Sequence, residues 1–190
     1  LEKGRYLDKN QSESARFIQG YKQAGVYPVL GKPLIPFGIG ECLGGGPEVN
    51  GALIWKTPKH ILDTWFSGRY SIPFSRSLLE NEFHYFENIL NVSTSYFSKD
   101  SDFPSYLLQQ GATNLGIEVV NARRALKYCT KNNVCAFGCP TGSKITPFDS
   151  LVAPLISKGL SVITSANVIG ITKNKNAGCH VHYKVGRVQK

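Results

Sequence analysis

Methionine is absent, and the chain opens on Leu1, in residues that read as the tail of a strand; a piece of a longer protein is therefore expected. No run of 18 apolar residues occurs, so no membrane-spanning helix is expected, and Leu1 begins no charged-then-apolar leader. Acid is scarce: 13 Asp and Glu stand against 22 Lys and Arg, leaving a net charge of +9. The basic residues are scattered, with Arg123, Arg124 and Lys127 the nearest thing to a cluster. No aromatic-basic motif accompanies them, so a solvated basic surface is expected and nucleic-acid binding is not. The five cysteines are odd in number and include no CxxC pair, which argues against a disulfide framework and against a standard zinc pattern.

With 42% hydrophobic residues over 190 positions, the chain has the means to bury a core. Leu1–Gly4 reads as a strand end closed by glycine. A helix then enters through Ser12 or Ser14, with Phe17, Ile18 and Tyr21 on its apolar face. Ala24–Leu30 reads as extended, and Lys32–Gly46, rich in glycine and proline, as irregular. Thr57 and Pro58 predict the start of a short helix through Ile61, Leu62 and Trp65. The apolar spacing from Ser77 to Leu90 predicts a longer one, with Glu80, Glu82 and Glu87 mostly outward. A third covers Ser105–Leu115 and ends near Gly116. Ile117–Val120 reads as a strand, Asn121–Thr146 as a long loop, and Leu151–Leu160 as the last helix. Ser161–Ser165, Val168–Thr172 and His180–Val185 close the chain as strands. The class is α/β.

The densest chemical signal is Gly40-Glu41-Cys42-Leu43-Gly44-Gly45-Gly46-Pro47-Glu48-Val49-Asn50-Gly51. Backbone without Cβ atoms passes close to a flat ring or a pyrophosphate and presents N–H donors there. Three thiols, Cys129, Cys135 and Cys139, crowd a second loop. They invite a metal, with Cys179, His180 or His182 as a fourth ligand, but the spacing favours free thiols and no metal ligand is assigned. His60 and His84 fall in helices, and His180 with His182 shares a strand face, which suits structural roles.

The glycine string resembles the second flavin-contacting motif of the glucose-methanol-choline oxidoreductases, with Pro47 where serine is usual. That resemblance implies that Gly44, Gly45 and Gly46 pack beside FAD and that Asn50 and Gly51 lie near the flavin ring. Pro47 removes one hydroxyl and one N–H from the pattern. Leu1-Glu2-Lys3-Gly4 is similar to the close of the second strand of an FAD-binding Rossmann unit, in which Glu2 would bind the ribose. Cys139-Pro140-Thr141-Gly142-Ser143-Lys144, followed by a helix and Leu160–Val168, is also similar to the family, and Val168 would meet the adenine through its backbone.

The resemblance thus implies that residues 1–190 are part of an FAD-binding Rossmann-like domain with helical and loop insertions, incomplete at both ends. The implied function is an FAD-dependent oxidoreductase acting on the CH–OH group of a small-molecule alcohol. No catalytic residue is expected in this chain, because none of its histidines matches the family's proton-transfer residues. That pair is expected beyond Lys190, and the Gly-x-Gly-x-x-Gly turn before Leu1. The alternatives are a cysteine-loop metal module or a basic polyanion binder without enzymatic activity, and both leave the glycine string unexplained. Neither the alcohol nor the electron acceptor is legible.

Overall fold

The computed structural model describes residues 1–94, 102–174 and 178–186. In chain order its elements are α1 Glu13–Gly20, β1 Pro28–Val29, β2 Ile35–Pro36, α2 Lys59–Trp65, α3 Arg76–Ile89, β3 Val92–Thr94, α4 Phe103–Asn114, β4 Arg123–Ala125, α5 Ala153–Ile156, β5 Ala166–Lys173 and β6 Cys179–Val185. The strands form antiparallel pairs, β1 with β2, β3 with β4 and β5 with β6. The mixture is α/β. Two compact units divide the chain: Leu1–Ala52 with Lys127–Lys190, and Leu53–Leu126.

In the first unit α1 starts at Ser12, whose hydroxyl accepts from the Ala15 N–H at 3.3 Å and satisfies one donor of the open first turn. Its packing differs from the expected apolar face. Ile18 is 59% exposed, while Arg16 and Gly20 are the buried positions. The reason is that Gly20 lies against Val49 and Leu7, where a Cβ would sit 2.9 Å from Val49 Cγ1. Phe17 meets Tyr21 tilted at 46° and Phe137 edge-on at 5.7 Å. Leu7, Cys42 and Val49, with Tyr21 against them, form the core.

Ala24 belongs to a 3-10 turn, Lys22–Gly25, so extension begins only at β1. The last helix is shorter than Leu151–Leu160: a π-type turn over Phe148–Val152 leads into α5, which ends at Ile156. Ser161–Ser165 forms no assigned strand, although Ile163 and Ser165 are bonded to the chain start. The β5 and β6 pair carries a bulge between Val168 and Gly170.

In the second unit Ser75 caps α3 through the Leu78 N–H, and Asp102 caps α4 through the Ser105 N–H, both at 3.2 Å. Gly116, at φ +69°, follows the end of α4. Thr57 does not cap α2. Pro58 holds that position in an extended conformation, and no side chain bonds the first turn. Ile117–Val120 forms no strand, because β-branching without a ladder partner does not make one; β3 pairs with Arg123–Ala125 instead. Glu87 is not outward. Its side chain is 12% exposed and shared by Lys56 and Arg123.

Candidate functional site

Two segments of the first unit converge on the chain start. The Glu2 N–H donates to Ile163 O at 2.9 Å, and Glu2 O accepts from the Ala166 N–H at 2.8 Å, two residues before Val168. On the other side the Leu43 N–H donates to Arg5 O at 2.9 Å, within a parallel bridge between Arg5 and Cys42. Residues 1–5 are therefore hydrogen-bonded both to the glycine run and to the segment leading into β5. The crossing is tight: a Cβ on Gly4 would lie 2.4 Å from Cys42 Cα. The Glu2 carboxylate accepts from the Gly4 N–H at 2.6 Å, which holds it at the end of the extended segment.

The glycines of the run differ in what demands them. Gly44 has φ +97°, and its Cβ would meet Glu48 Oε1 at 2.6 Å; Gly45 lies at φ +68°, ψ −149°. Both conformations suit glycine on backbone grounds alone. Gly40 is fixed by Gly46, whose Cα would be 2.7 Å from an added Cβ. Gly46 and Gly51 are different: no positive φ, and nothing within 4 Å of an added Cβ. Their missing side chains leave open space rather than relieve a contact. The Gly45 N–H is already spent on Cys42 O at 2.7 Å, so it is not an outward donor.

The carbonyls after the glycines point inward. Lys144, 2% exposed, donates its ammonium to Glu48 O at 2.7 Å, Asn50 O at 3.1 Å and Cys135 O at 2.9 Å. The Tyr21 hydroxyl lies 2.8 Å from Val49 O and 2.9 Å from Ala136 O, one proton serving either. Arg16, 4% exposed, reaches Phe137 O at 3.0 Å, Lys9 O at 3.4 Å and Gln11 O. Asn50 is exposed, and its Oδ1 accepts from the Ala52 N–H at 2.9 Å, a local turn that fixes the side chain.

Burial sets the protonation states here. It pushes the Cys42 thiol up to about 12, with the Glu48 and Glu2 carboxylates adding to the effect. It raises the Glu48 carboxyl, which the Thr146 hydroxyl partly offsets; Glu48 Oε1 is buried without a hydrogen-bond partner among the described residues. It also lowers Lys144, against the attraction of Glu48. Burial would raise the Cys139 thiol as well, but the Thr141 hydroxyl and the N–H groups of Lys144, Thr141 and Ser143 outweigh it, and the thiol sits below its ordinary range.

Glu2, the Gly44–Gly46 run, Asn50, Gly51 and Val168 thus all fall in one unit, and backbone bonds link the three segments that carry them. Val168 is 43% exposed, opposite Tyr183 in β6. The sequence reading missed Lys144, Tyr21 and Arg16 as organisers of this region. Main-chain carbonyls accept from all three, and such acceptors leave no trace in residue type.

The five cysteines form no disulfide with one another, and among the described residues no group of three His, Cys, Asp or Glu side chains is placed to hold a metal. His60 and His84 are exposed on α2 and α3, and His182 Nε2 is 3.0 Å from Thr172 Oγ1. The second unit has a cavity of about 290 Å³ walled by Lys56, Arg76, Phe83 and His84, and an apolar one of about 370 Å³ walled by Trp65, Tyr70, Ile72, Pro73 and Phe74. Neither is lined by the glycine run.

The sequence model of the GMC oxidoreductases matches residues 18–189. The chain belongs to that family. The match takes in the glycine run, Lys144 and Val168, while Glu2 lies before it. An uncharacterised GMC-type oxidoreductase of Sinorhizobium fredii is 26% identical over 99% of this chain and 40% of its own length. Two long-chain-alcohol oxidases of Arabidopsis thaliana are 25% and 23% identical, over 86% and 93% of this chain and 22% and 24% of their own lengths. The chain thus spans two fifths or less of the GMC relatives it matches. No helix among the described residues is long and apolar enough to cross a membrane.

Proposed function

We propose that residues 1–190 form part of a Rossmann-like FAD-binding domain and supply the flavin cradle of an oxidoreductase acting on CH–OH groups. The observation that carries this reading is the open space at Gly46 and Gly51, beside a run clamped from behind by Lys144 and Tyr21. A backbone held that rigidly, with side chains missing on a face where the fold does not require it, suits a flat ring laid against it. Family membership supports the cofactor, and the printed names of the two plant relatives support an alcohol as donor.

In this reading Gly45, Gly46, Asn50 and Gly51 line the ring. Glu2, held by the Gly4 N–H, accepts from ribose hydroxyls, and Val168 meets the adenine through its backbone. Bound FAD supplies the hydride acceptor for oxidation of the alcohol carbon. This chain's residues bind and orient, and the proton-transfer groups lie outside it.

The test is the visible spectrum of the purified whole protein. A yellow flavin spectrum, released by heat or acid as FAD and lost in Gly46→Val at unchanged melting temperature, is the expected outcome. Colourless wild-type protein, or a Gly46→Val variant with full flavin content, overturns the reading.

A further inference from the structure

Lys144 is an expensive way to tie a loop. Its three donors meet three backbone carbonyls, and no carboxylate among the described residues lies within 4.0 Å of its nitrogen. The cation is therefore buried without a direct counter-ion, which costs solvation that a neutral donor would not. Tyr21 shows the neutral alternative at the adjacent carbonyl, Val49 O, using one hydroxyl. The nearby carboxyl, Glu48, attracts the ammonium from beyond ion-pair distance and works against the burial that lowers Lys144. Two of the three bonded carbonyls, those of Glu48 and Asn50, belong to peptide units whose nitrogens are in Val49 and Gly51. A cation on the oxygen polarises the whole unit and makes it more electropositive on its N–H side.

We propose that Lys144 is a positioning residue whose charge, fixed behind the Glu48–Gly51 backbone, raises the reduction potential of the flavin held there. The inference rests on the flavin-cradle reading. A buried cation favours whichever state of a bound group carries more negative charge, and two electrons taken up with one proton add one such charge. A neutral tie in the same place would hold the loop and leave the potential alone.

The experiment is a dye-equilibrated reductive titration of the holoprotein as isolated, comparing wild type, Lys144→Met and Tyr21→Phe. Lys144→Met is expected to shift the midpoint to a more negative value and to weaken binding of oxidised flavin by about tenfold or more. Tyr21→Phe is expected to weaken binding by about fivefold and to leave the midpoint in place. An unshifted Lys144→Met midpoint, or equal shifts in both variants, overturns the proposal. Should Lys144→Met not fold, Lys144→Gln keeps amide donors without the charge, and flavin at the wild-type potential in that variant overturns it equally. Wild-type protein without flavin overturns the cradle reading and this inference together, whereas flavin-loaded variants at the wild-type potential overturn the inference alone.

Discussion

Lys144 and Arg16, in the unit built from the chain's two ends, spend their donors on main-chain carbonyls in the interior. Arg76 and Lys59, in the Leu53–Leu126 unit, spend theirs on carboxylates at the surface, with Asp63 at 2.6 and 2.7 Å and Glu80 at 2.8 Å. A carbonyl is fixed by the backbone and, once buried, has no water to exchange with; a surface carboxylate has both freedom and water. The same residue types therefore fix backbone geometry in one unit and decorate helices in the other. Glu87, 12% exposed and shared by Lys56 and Arg123, is a carboxylate tie of the second unit drawn in from the surface, joining α3 to β4.

If the first unit is organised by close backbone crossings, the largest effect comes from Gly4. Gly4→Ala places a methyl 2.4 Å from Cys42 Cα, Cys42 N and Glu41 C, all backbone atoms, with no flexible side chain to yield. A loss of roughly 3 kcal/mol or more is expected in chemical denaturation. A variant within 1 kcal/mol of wild type, on the order of an ordinary surface change, would break the claim that this crossing is tight.

Next is the alkaline limit set by Cys42, which is fully buried. Its thiol is raised from 9.0 to about 12, so between those values the folded state keeps a proton that the unfolded state loses. Stability falls as pH rises through that window, by an amount on the order of 1.4 kcal/mol per unit of pH. Urea midpoints measured from pH 8 to 11 are expected to drop more steeply in wild type than in Cys42→Ala. Parallel profiles in the two proteins would remove Cys42 from the account.

Removing the Arg16 guanidinium strands the carbonyls of Phe137, Lys9 and Gln11. Arg16→Met, which keeps the stem, is expected to cost about 2–3 kcal/mol and to loosen the 135–137 turn, as faster amide exchange there. An effect as small as that of a surface ion pair would erase the distinction between the two units.

The sequence made the local elements legible and the long-range ties illegible. Ser12 and Gly116 mark helix ends by chemistry confined to one turn, and the helices end close to where that chemistry points. The glycine run was legible as a place of close approach, yet only the folded backbone separates Gly44, required by its own φ and by Glu48, from Gly46 and Gly51, which face open space. Ile117–Val120 carried strand propensity without a partner, and Glu87 sat on an outward stripe until β4 arrived beside it. Lys144 was part of a visible glycine-serine-lysine turn, but its acceptors lie 9, 94 and 96 residues away and are carbonyls, which every residue owns.

The smallest effect is expected where the drawn network is densest. Arg76 bonds both Asp63 and Glu80; Lys59 and then Arg76 hold the Asp63 carboxyl below its usual range, while Glu80 and then Asp63 hold Arg76 above its own. All four side chains are open to solvent, so water replaces the lost partners and salt screens what remains. Arg76→Ala is expected to leave the denaturation midpoint within experimental error at physiological ionic strength, with a small loss emerging only at low salt. A loss at physiological ionic strength comparable to that of Arg16→Met, and shrinking as salt is added, would show that the α2 and α3 surface is held by charge after all, and the contrast between the units would have to be redrawn on packing instead.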